Sequence, residues 1–376
     1  MEIDPLLHAL LLARGPGGQE DEVRHICQRE LARHCDETRI DRAGNVLGVL
    51  RATQPCEPEQ SIRLMAHMDE IAMIVKRVKT DGTLEVLALG GAQPISFGVC
   101  PVELLGDQQC LPGVLSYGSM HNSGRSTNGR EVLSGDVHWQ DVHVVTRQDT
   151  AALERAGIRP GTRVVLSRHW RQPYAVNDCI AAHFLDDRAP VAALLGCARD
   201  LKARRAGLRQ DVWFVFTTLE EESNAGAMYA AARLPGDTTV AVEVGPVLDE
   251  YGTRLSADPI INTGDQKGLY SRSVVHGLTA AAQRAGYRPQ AALLVDFASD
   301  ASAVMSAGVA AQAGCLAIPT ENTHGFEMIH GDGITACAAT LVEYALAPQA
   351  PISSPQSTLN PLPGATGAAH HHPRNP

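Results

Sequence analysis

Residues 212–222 read VWFVFTTLEEE. The run from Val212 to Phe216 is wholly apolar, without the alternation expected of a strand that faces water on one side. It therefore reads as a strand buried on both faces, the kind found inside parallel sheets. It ends at three consecutive acids, Glu220, Glu221 and Glu222. Carboxylates where a hydrophobic strand stops are costly unless water, cations or metal ions match them. A solvated loop is one reading. The other is metal-dependent hydrolysis, in which one glutamate ligates and its neighbour takes a proton from activated water.

The chain around this run repeats the pattern. A second apolar strand is expected at 239–244, with Glu243 near its end, and further strands at 291–295 and 310–318. Helical spacing of apolar residues falls between and after them, at 188–206, 274–285, 301–307 and 335–346. On the N-terminal side, two helices between residues 5 and 35 are separated by Gly15-Pro16-Gly17-Gly18. A turn at Asp41-Arg42-Ala43-Gly44-Asn45 leads into a strand at 46–50, and Ile62, Leu64 and Ala66 alternate toward His67. Strands alternating with helices predict an α/β fold with a mainly parallel sheet sandwiched by helices.

Between residues 71 and 174 the texture changes. Short strand-like runs at 71–78, 84–89, 99–105, 142–146 and 163–166 are separated by glycine and proline turns, which predicts an inserted small β-barrel-like domain. Residues 116–135 read as an exposed loop. From 348 to 376 the chain is rich in Pro, Ser, Ala and Gly and reads as a disordered tail. The expected division is 1–70 with 175–347 as one α/β unit, 71–174 as the insert and 348–376 as the tail.

Composition narrows the function. The chain of 376 residues is 44% hydrophobic and 20% charged, enough for a substantial core, and its formal net charge is −10. That balance argues against nucleic acid or a membrane surface as partner, because both require clustered Lys and Arg. The basic run at 199–209 reads as a solvated helix face. Nine cysteines, with no C-x-x-C pair, favour reduced thiols over a disulfide framework. Acids near Met1 stand where a signal peptide would be basic, and no apolar run reaches the roughly 18 residues of a membrane span. Cytoplasm is the expected compartment.

Single motifs are modest. His67-Met68-Asp69-Glu70 places an imidazole and a carboxylate two apart at a strand end, on one side. Asp186-Asp187 precedes a helix and would serve equally as a cap or as metal ligands. Glu243 in an apolar strand is unusual without a partner. His324, alone, is more often structural. Together these groups sit at the expected C-terminal ends of parallel strands, where ligands bind in open α/β sheets. Histidines and carboxylates without cysteine pairs suit Zn²⁺ or Co²⁺, with Mn²⁺ as a further candidate.

The order of motifs resembles the M42 peptidases, the glutamyl and deblocking aminopeptidases, over about residues 5–346. The resemblance is carried by Asp41 to Asn45, His67-Met68-Asp69-Glu70, Gly90-Gly91, Leu185-Asp186-Asp187-Arg188, Glu220-Glu221 with Gly226-Ala227, Ser299-Asp300-Ala301, and Ile318-Pro319 with His324 and Glu327. It implies a dinuclear metallopeptidase fold with two divalent metal ions per subunit. His67 and His324 would each bind one ion, Asp186 would bridge them, and a cis peptide would join Asp186 to Asp187. Glu221 and Glu243 would be terminal ligands, Glu220 the general base, and Asp69 the residue that orients His67. The implied reaction is removal of N-terminal residues from peptides by attack of metal-activated water. The insert would serve assembly into a homo-oligomer, in some members a dodecamer.

The sequence departs from the family around the site. Glu243 stands where Asp is usual, Glu222-Ser223 where Val-Gly is common, and Glu321-Asn322-Thr323 before His324 where Arg-Tyr is frequent. A divergent hydrolase of a small amide or modified dipeptide is therefore a second reading, and a catalytically silent scaffold a third. An extra acid at Glu222 or Glu321 would favour an amine-bearing substrate or face solvent.

Overall fold

Phe214 and Phe216 point into one apolar core and Trp213 and Val215 into another. A strand that feeds two cores must lie in the middle of a sheet covered on both faces. The computed structural model, which describes residues 3–119 and 137–347, shows that arrangement. Most of the loop expected at 116–135, and all of the tail expected at 348–376, lie outside the described residues.

After helices Pro5–Leu12 and Asp21–Leu31 come β1 (Glu37–Ile40), β2 (Val46–Leu50) and β3 (Ile62–His67). The next six strands are β4 (Ala72–Val78), β5 (Leu84–Leu89), β6 (Cys100–Leu105), β7 (Cys110–Ser116), β8 (His143–Val145) and β9 (Arg163–Leu166). The chain returns through β10 (Tyr174–Val176) and β11 (Cys179–His183) into the helix Leu185–Ala203. Then follow β12 (Val212–Thr217), two short helices at Glu220–Ser223 and Ala225–Ala231, and β13 (Thr238–Pro246). The last strands are β14 (Ile260–Asn262), β15 (Gly264–Asp265), β16 (Gly268–Leu269), β17 (Gln290–Ala292), β18 (Gln312–Glu321) and β19 (Phe326–His330). Helices Arg272–Arg284, Asp300–Ser306 and Gly333–Leu346 are interspersed and close the chain.

The main sheet has 11 strands, and its principal path runs β1-β2-β12-β3-β13-β18-β19-β11-β10. Its centre, β12-β3-β13-β18, is parallel, and antiparallel strands flank it. The Leu185–Ala203 and Gly333–Leu346 helices cover one face together with the two N-terminal helices. Helix Ala225–Ala231 and Val304 cover the other. Because β11 and β18 are each antiparallel to β19, β11 runs the same way as the central strands. Five strands, β3, β11, β12, β13 and β18, thus end at one edge of the sheet.

Strands β4-β5-β8-β7-β6-β9 close into a barrel with its own core, including Met73, Val86, Val102, Leu104, Leu115 and Val164. In β6 buried and half-buried residues alternate, the pattern of a strand with one face in a barrel interior. Phe184 belongs to this second core while its neighbour Leu185 belongs to the first, so the chain crosses between the two cores just before Asp186.

Two strand boundaries differ from the sequence reading. The strand expected at 291–295 is only Gln290–Ala292, because beyond it Leu293 and Val295 are exposed and gain no partner strand. The strand expected to stop at Ile318 continues to Glu321. Pro319 does not end it, since β13 runs alongside in register, Gly245 opposite Pro319 and Pro246 opposite Thr320. Strands β1, β7, β10 and β19 carried no clear sequence signal. No helix among the described residues is long and apolar enough to cross a membrane.

Candidate metal centre

His67 is the last residue of β3 and lies opposite Thr217, the last residue of β12. On the other side, the β3–β13 register places Ala241 opposite Met65, so Glu243, two residues on, comes level with His67. Asp186 enters from the end of β11 and His324 from the turn between β18 and β19. Residues up to 257 positions apart in the chain, from His67 to His324, are thereby brought to one sheet edge.

Two groups of ligand-type atoms result, each within 4.8 Å of one another. His67, Asp186, Asp187 and Glu243 form one; Asp186, Glu221 and His324 form the other. Asp186 belongs to both. Its Oδ1 lies 3.0 Å from His67 Nε2 and its Oδ2 3.5 Å from His324 Nε2. Glu243 Oε2 is 3.9 Å from His67 Nε2, and Glu221 Oε1 is 3.7 Å from His324 Nε2. The Asp186–Asp187 peptide is cis.

Buried main-chain and side-chain contacts fix these groups. His67 Nδ1 lies 3.1 Å from the Asp69 carbonyl oxygen, which turns Nε2 toward the acids. The Asp69 carboxylate itself is 3.6 Å from that ring nitrogen, beyond a hydrogen bond. At that distance its charge still favours protonated His67, and its Oδ1 and Oδ2 also accept the main-chain N–H groups of Glu220 and Glu221, each at 3.0 Å. Asp69 thus caps the Glu220–Ser223 helix from the segment just after β3 and sets both glutamates in place. Glu327, which entered the sequence reading only as part of the resemblance, accepts N–H bonds from Asp186 and from His324, each at 2.9 Å. It ties the shared acid to the distant histidine. The signal for it was an acid three residues after His324. Asn224, four residues after Glu220, was also missed; its amide donates to Glu220 Oε1 at 2.7 Å.

The backbone is bent to reach this geometry. Phe184, Leu219, Asn224 and His324 all have positive φ, between 53° and 67°. For Phe184 and Leu219 that is unusual, and such strain gathers at functional sites. Gly90 and Gly91, after β5, bring the insert against Glu221 and His324. A Cβ at Gly91 would stand 2.6 Å from His324 Cε1, and one at Gly90 2.9 Å from Glu221 Cβ.

The electrostatics call for cations. Burial, followed by neighbouring carboxylates, holds Glu220 and Glu243 well above the usual range. Burial also lifts Glu221 to about 7, against the pull of His324. Burial opposes charge on His324, but the hydrogen bond with Asp186 and the Glu221 charge carry it up to about 10. Asp186 is half-buried, which opposes its charge, yet it is held below the usual range by its bonds to both imidazoles. Among the described residues, ion pairs to Asp186, Glu220, Glu221 and Glu243 come only from those two histidines. Asp187 Oδ2 accepts the His67 main-chain N–H at 2.8 Å, while its Oδ1 is buried without a hydrogen-bond partner. A donor set of oxygens and imidazole nitrogens, too negative for its own protons and with one orphaned oxygen, fits divalent cations.

A cavity of about 570 Å³ opens over the cluster, lined by Glu222, Leu248, Tyr251, Lys267, Asp296 and Phe297 besides the ligand-type groups. Glu222 lies half-buried against Gly17, and burial raises its carboxyl to about 7.

The family model of the M42 glutamyl aminopeptidases matches residues 44–340. The Escherichia coli (strain K12) protein SgcX is 27% identical over 265 residues, covering 70% of this chain and 68% of that protein. Two archaeal structures share the fold. The aminopeptidase of Desulfurococcus kamchatkensis superposes with a TM-score of 0.81 at 22% identity, covering 92% of this chain and 94% of that one. The Pyrococcus horikoshii TET1 peptidase, which can assemble into a tetrahedron or a large octahedral shell, gives 0.78 at 22% identity, with 90% and 98% covered.

Proposed function

The chain belongs to the M42 glutamyl aminopeptidase family, and from that premise we propose a two-metal mechanism for its metal-dependent removal of N-terminal residues from peptides. The observation that carries the proposal is the pair of ligand groups that share Asp186. His67 and Glu243 would hold one ion, with Asp187 beside them, and His324 and Glu221 the other. The ions are Zn²⁺ or Co²⁺, with Mn²⁺ a further candidate. Such ions supply Lewis acidity, which polarises the amide carbonyl and makes water acidic enough to react near neutral pH.

The chain's own residues do the rest. Glu220 is the proton carrier. Its Oε1 is held by Asn224, which leaves Oε2 facing the ligand groups, 4.0 Å from His67 Nε2. It accepts a proton from the attacking water and delivers it to the leaving amine. Asp69 keeps Glu220 and Glu221 aligned through their main-chain N–H groups. Acids of the cavity, Glu222 among them, favour the ammonium of a peptide N-terminus. The barrel at 71–174 serves assembly into a homo-oligomer, with a dodecamer the expected size, and the protein acts in the cytoplasm.

Glu220→Gln tests the reading. The variant should bind the same number of metal ions per subunit, counted by mass spectrometry, while kcat on amino-acid p-nitroanilides falls at least 100-fold. Near-normal kcat would remove Glu220 as proton carrier. Turnover confined to N-blocked or small amides, with free N-termini untouched, would assign the second reading, a divergent amide hydrolase. Light scattering of the purified protein gives the assembly size.

A further inference from the structure

Asn224 sits between the two short helices at the end of β12, 4% exposed and at φ 53°. Its amide has three polar partners from three parts of the chain. Nδ2 donates to Glu220 Oε1 at 2.7 Å and to Asp300 Oδ1 at 3.1 Å. Its Oδ1 accepts from the Lys267 ammonium at 2.6 Å. This pattern fits only one orientation of the amide. An ammonium can only donate and a carboxylate can only accept, so Oδ1 must face Lys267 and Nδ2 the two acids.

The partners are themselves anchored. Asp300 is buried, and its other oxygen accepts the Thr217 hydroxyl at 2.5 Å. Lys267 lies on the turn between β15 and β16. That turn is pinned by the Lys267 and Tyr270 bonds to Asp265, at 2.8 and 2.7 Å, and by the Gln266 N–H on Phe297. Lys267 also lines the cavity over the metal centre. It is the sole Lys or Arg among the described residues that do so.

We propose that Lys267 and Asn224 are a positioning pair for Glu220: the ammonium fixes and polarises the Asn224 amide, and the amide holds Glu220 Oε1 so that Oε2 alone faces the reacting groups. The inference rests on the reading of Glu220 as proton carrier. A free carboxylate can rotate and present either oxygen. One oxygen tied by a charge-polarised amide leaves a single oxygen, in one place, for the proton. Asp300 keeps the amide from swinging away.

The competing role for Lys267 is direct contact with substrate, and steady-state kinetics of the metal-loaded enzyme separates the two. Lys267→Met should lower kcat on the order of tenfold with KM unchanged, since nothing that touches substrate is lost. Lys267→Arg should restore most of the kcat. Asn224→Gly keeps the left-handed backbone while removing the amide, and should cost kcat on the order of 10- to 100-fold. The double variant should be no slower than Asn224→Gly alone, because Lys267 acts only through Asn224. Metal content should match wild type in every variant. A rise in KM with kcat intact in Lys267→Met overturns the proposal, as do losses that multiply in the double variant. Lys267 is exposed on a surface turn, so its variants test the idea even if Asn224→Gly folds poorly. Glu220→Gln measured in parallel separates the two readings. Full turnover there removes the proton-carrier assignment, whereas its loss beside unimpaired Lys267→Met and Asn224→Gly removes only the positioning pair.

Discussion

At the scale of single residues, the site is built from side chains whose protonation depends on what surrounds them. His183 shows this outside the ligand set. It is buried between the Phe184 and Phe326 rings, with Nδ1 2.8 Å from the Gly325 carbonyl, next to His324. Burial holds its pKa down at about 4, against a bonded carbonyl that favours the charged form. The folded state therefore refuses a proton that the unfolded chain accepts near 6.5. Above that pH His183 leaves stability unchanged. Between about pH 6.5 and 4 the unfolded state gains, by roughly 3 kcal/mol at most. His183→Gln keeps a donor for Gly325 but does not titrate. Denaturant melts across pH 4–7 should show wild type losing stability faster than this variant as pH falls. Parallel curves would mean that His183 is charged in the fold.

At the scale of elements, the candidate metal centre depends on turns more than on strands. Asn45, in the Asp41 to Asn45 turn, donates to the Gly226 carbonyl at 2.9 Å and accepts the Thr218 N–H at 3.0 Å, so this turn holds the chain where β12 ends and the glutamates begin. Gly226 has no room for a side chain: a Cβ there would stand 2.4 Å from the Thr218 carbonyl. The Gly90-Gly91 turn does the same for the insert. Gly91→Ala would drive a methyl into the His324 ring, 2.6 Å from Cε1 and 2.7 Å from Nδ1. The expected outcome is at least a tenfold loss of affinity for one metal ion per subunit, read by metal titration, with a melting temperature close to wild type. Unchanged metal binding would show that the turn can move aside.

At the scale of the whole molecule, a buried ion cluster joins the parts. Glu70, at the exit of β3, pairs with Arg171, which follows the barrel, and with Arg188 of the helix after β11. All three side chains are fully buried. Arg171 also lies over the Phe184 ring, 4.4 Å from its centroid, and donates to the Ala13 carbonyl of the N-terminal segment. Glu70→Gln would leave two buried guanidinium groups without a counter-charge. The expected cost is about 3–5 kcal/mol, measured by denaturant unfolding of the metal-loaded protein. A loss under about 1 kcal/mol would mean that water reaches the cluster and solvates the arginines.

Much of this was legible in the order of residues. Apolar runs such as 212–216 announced strands buried on both faces, because a residue's burial on each side of a sheet is written in whether polar residues alternate with it. Glycine and proline spacing announced the insert, and the acids and histidines at strand ends pointed to one edge of the sheet, where the structure gathers them, because a charged group that interrupts an apolar run needs a partner. Strands β1 and β10 were silent, since they lie at the two ends of the main sheet's path and are largely exposed, so they carry no strong pattern. What only the tertiary structure decided is which groups meet. That Asp186 lies between His67 and His324, that the Asp69 carboxylate holds the Glu220 and Glu221 N–H groups as well as lying 3.6 Å from His67 Nδ1, that Glu327 ties Asp186 to His324, and that Lys267 reaches Glu220 through Asn224 all depend on through-space distances. Local sequence governs which way a side chain points along its own strand or helix, while packing between elements sets the few ångströms across which imidazoles, carboxylates and ammonium groups act on one another.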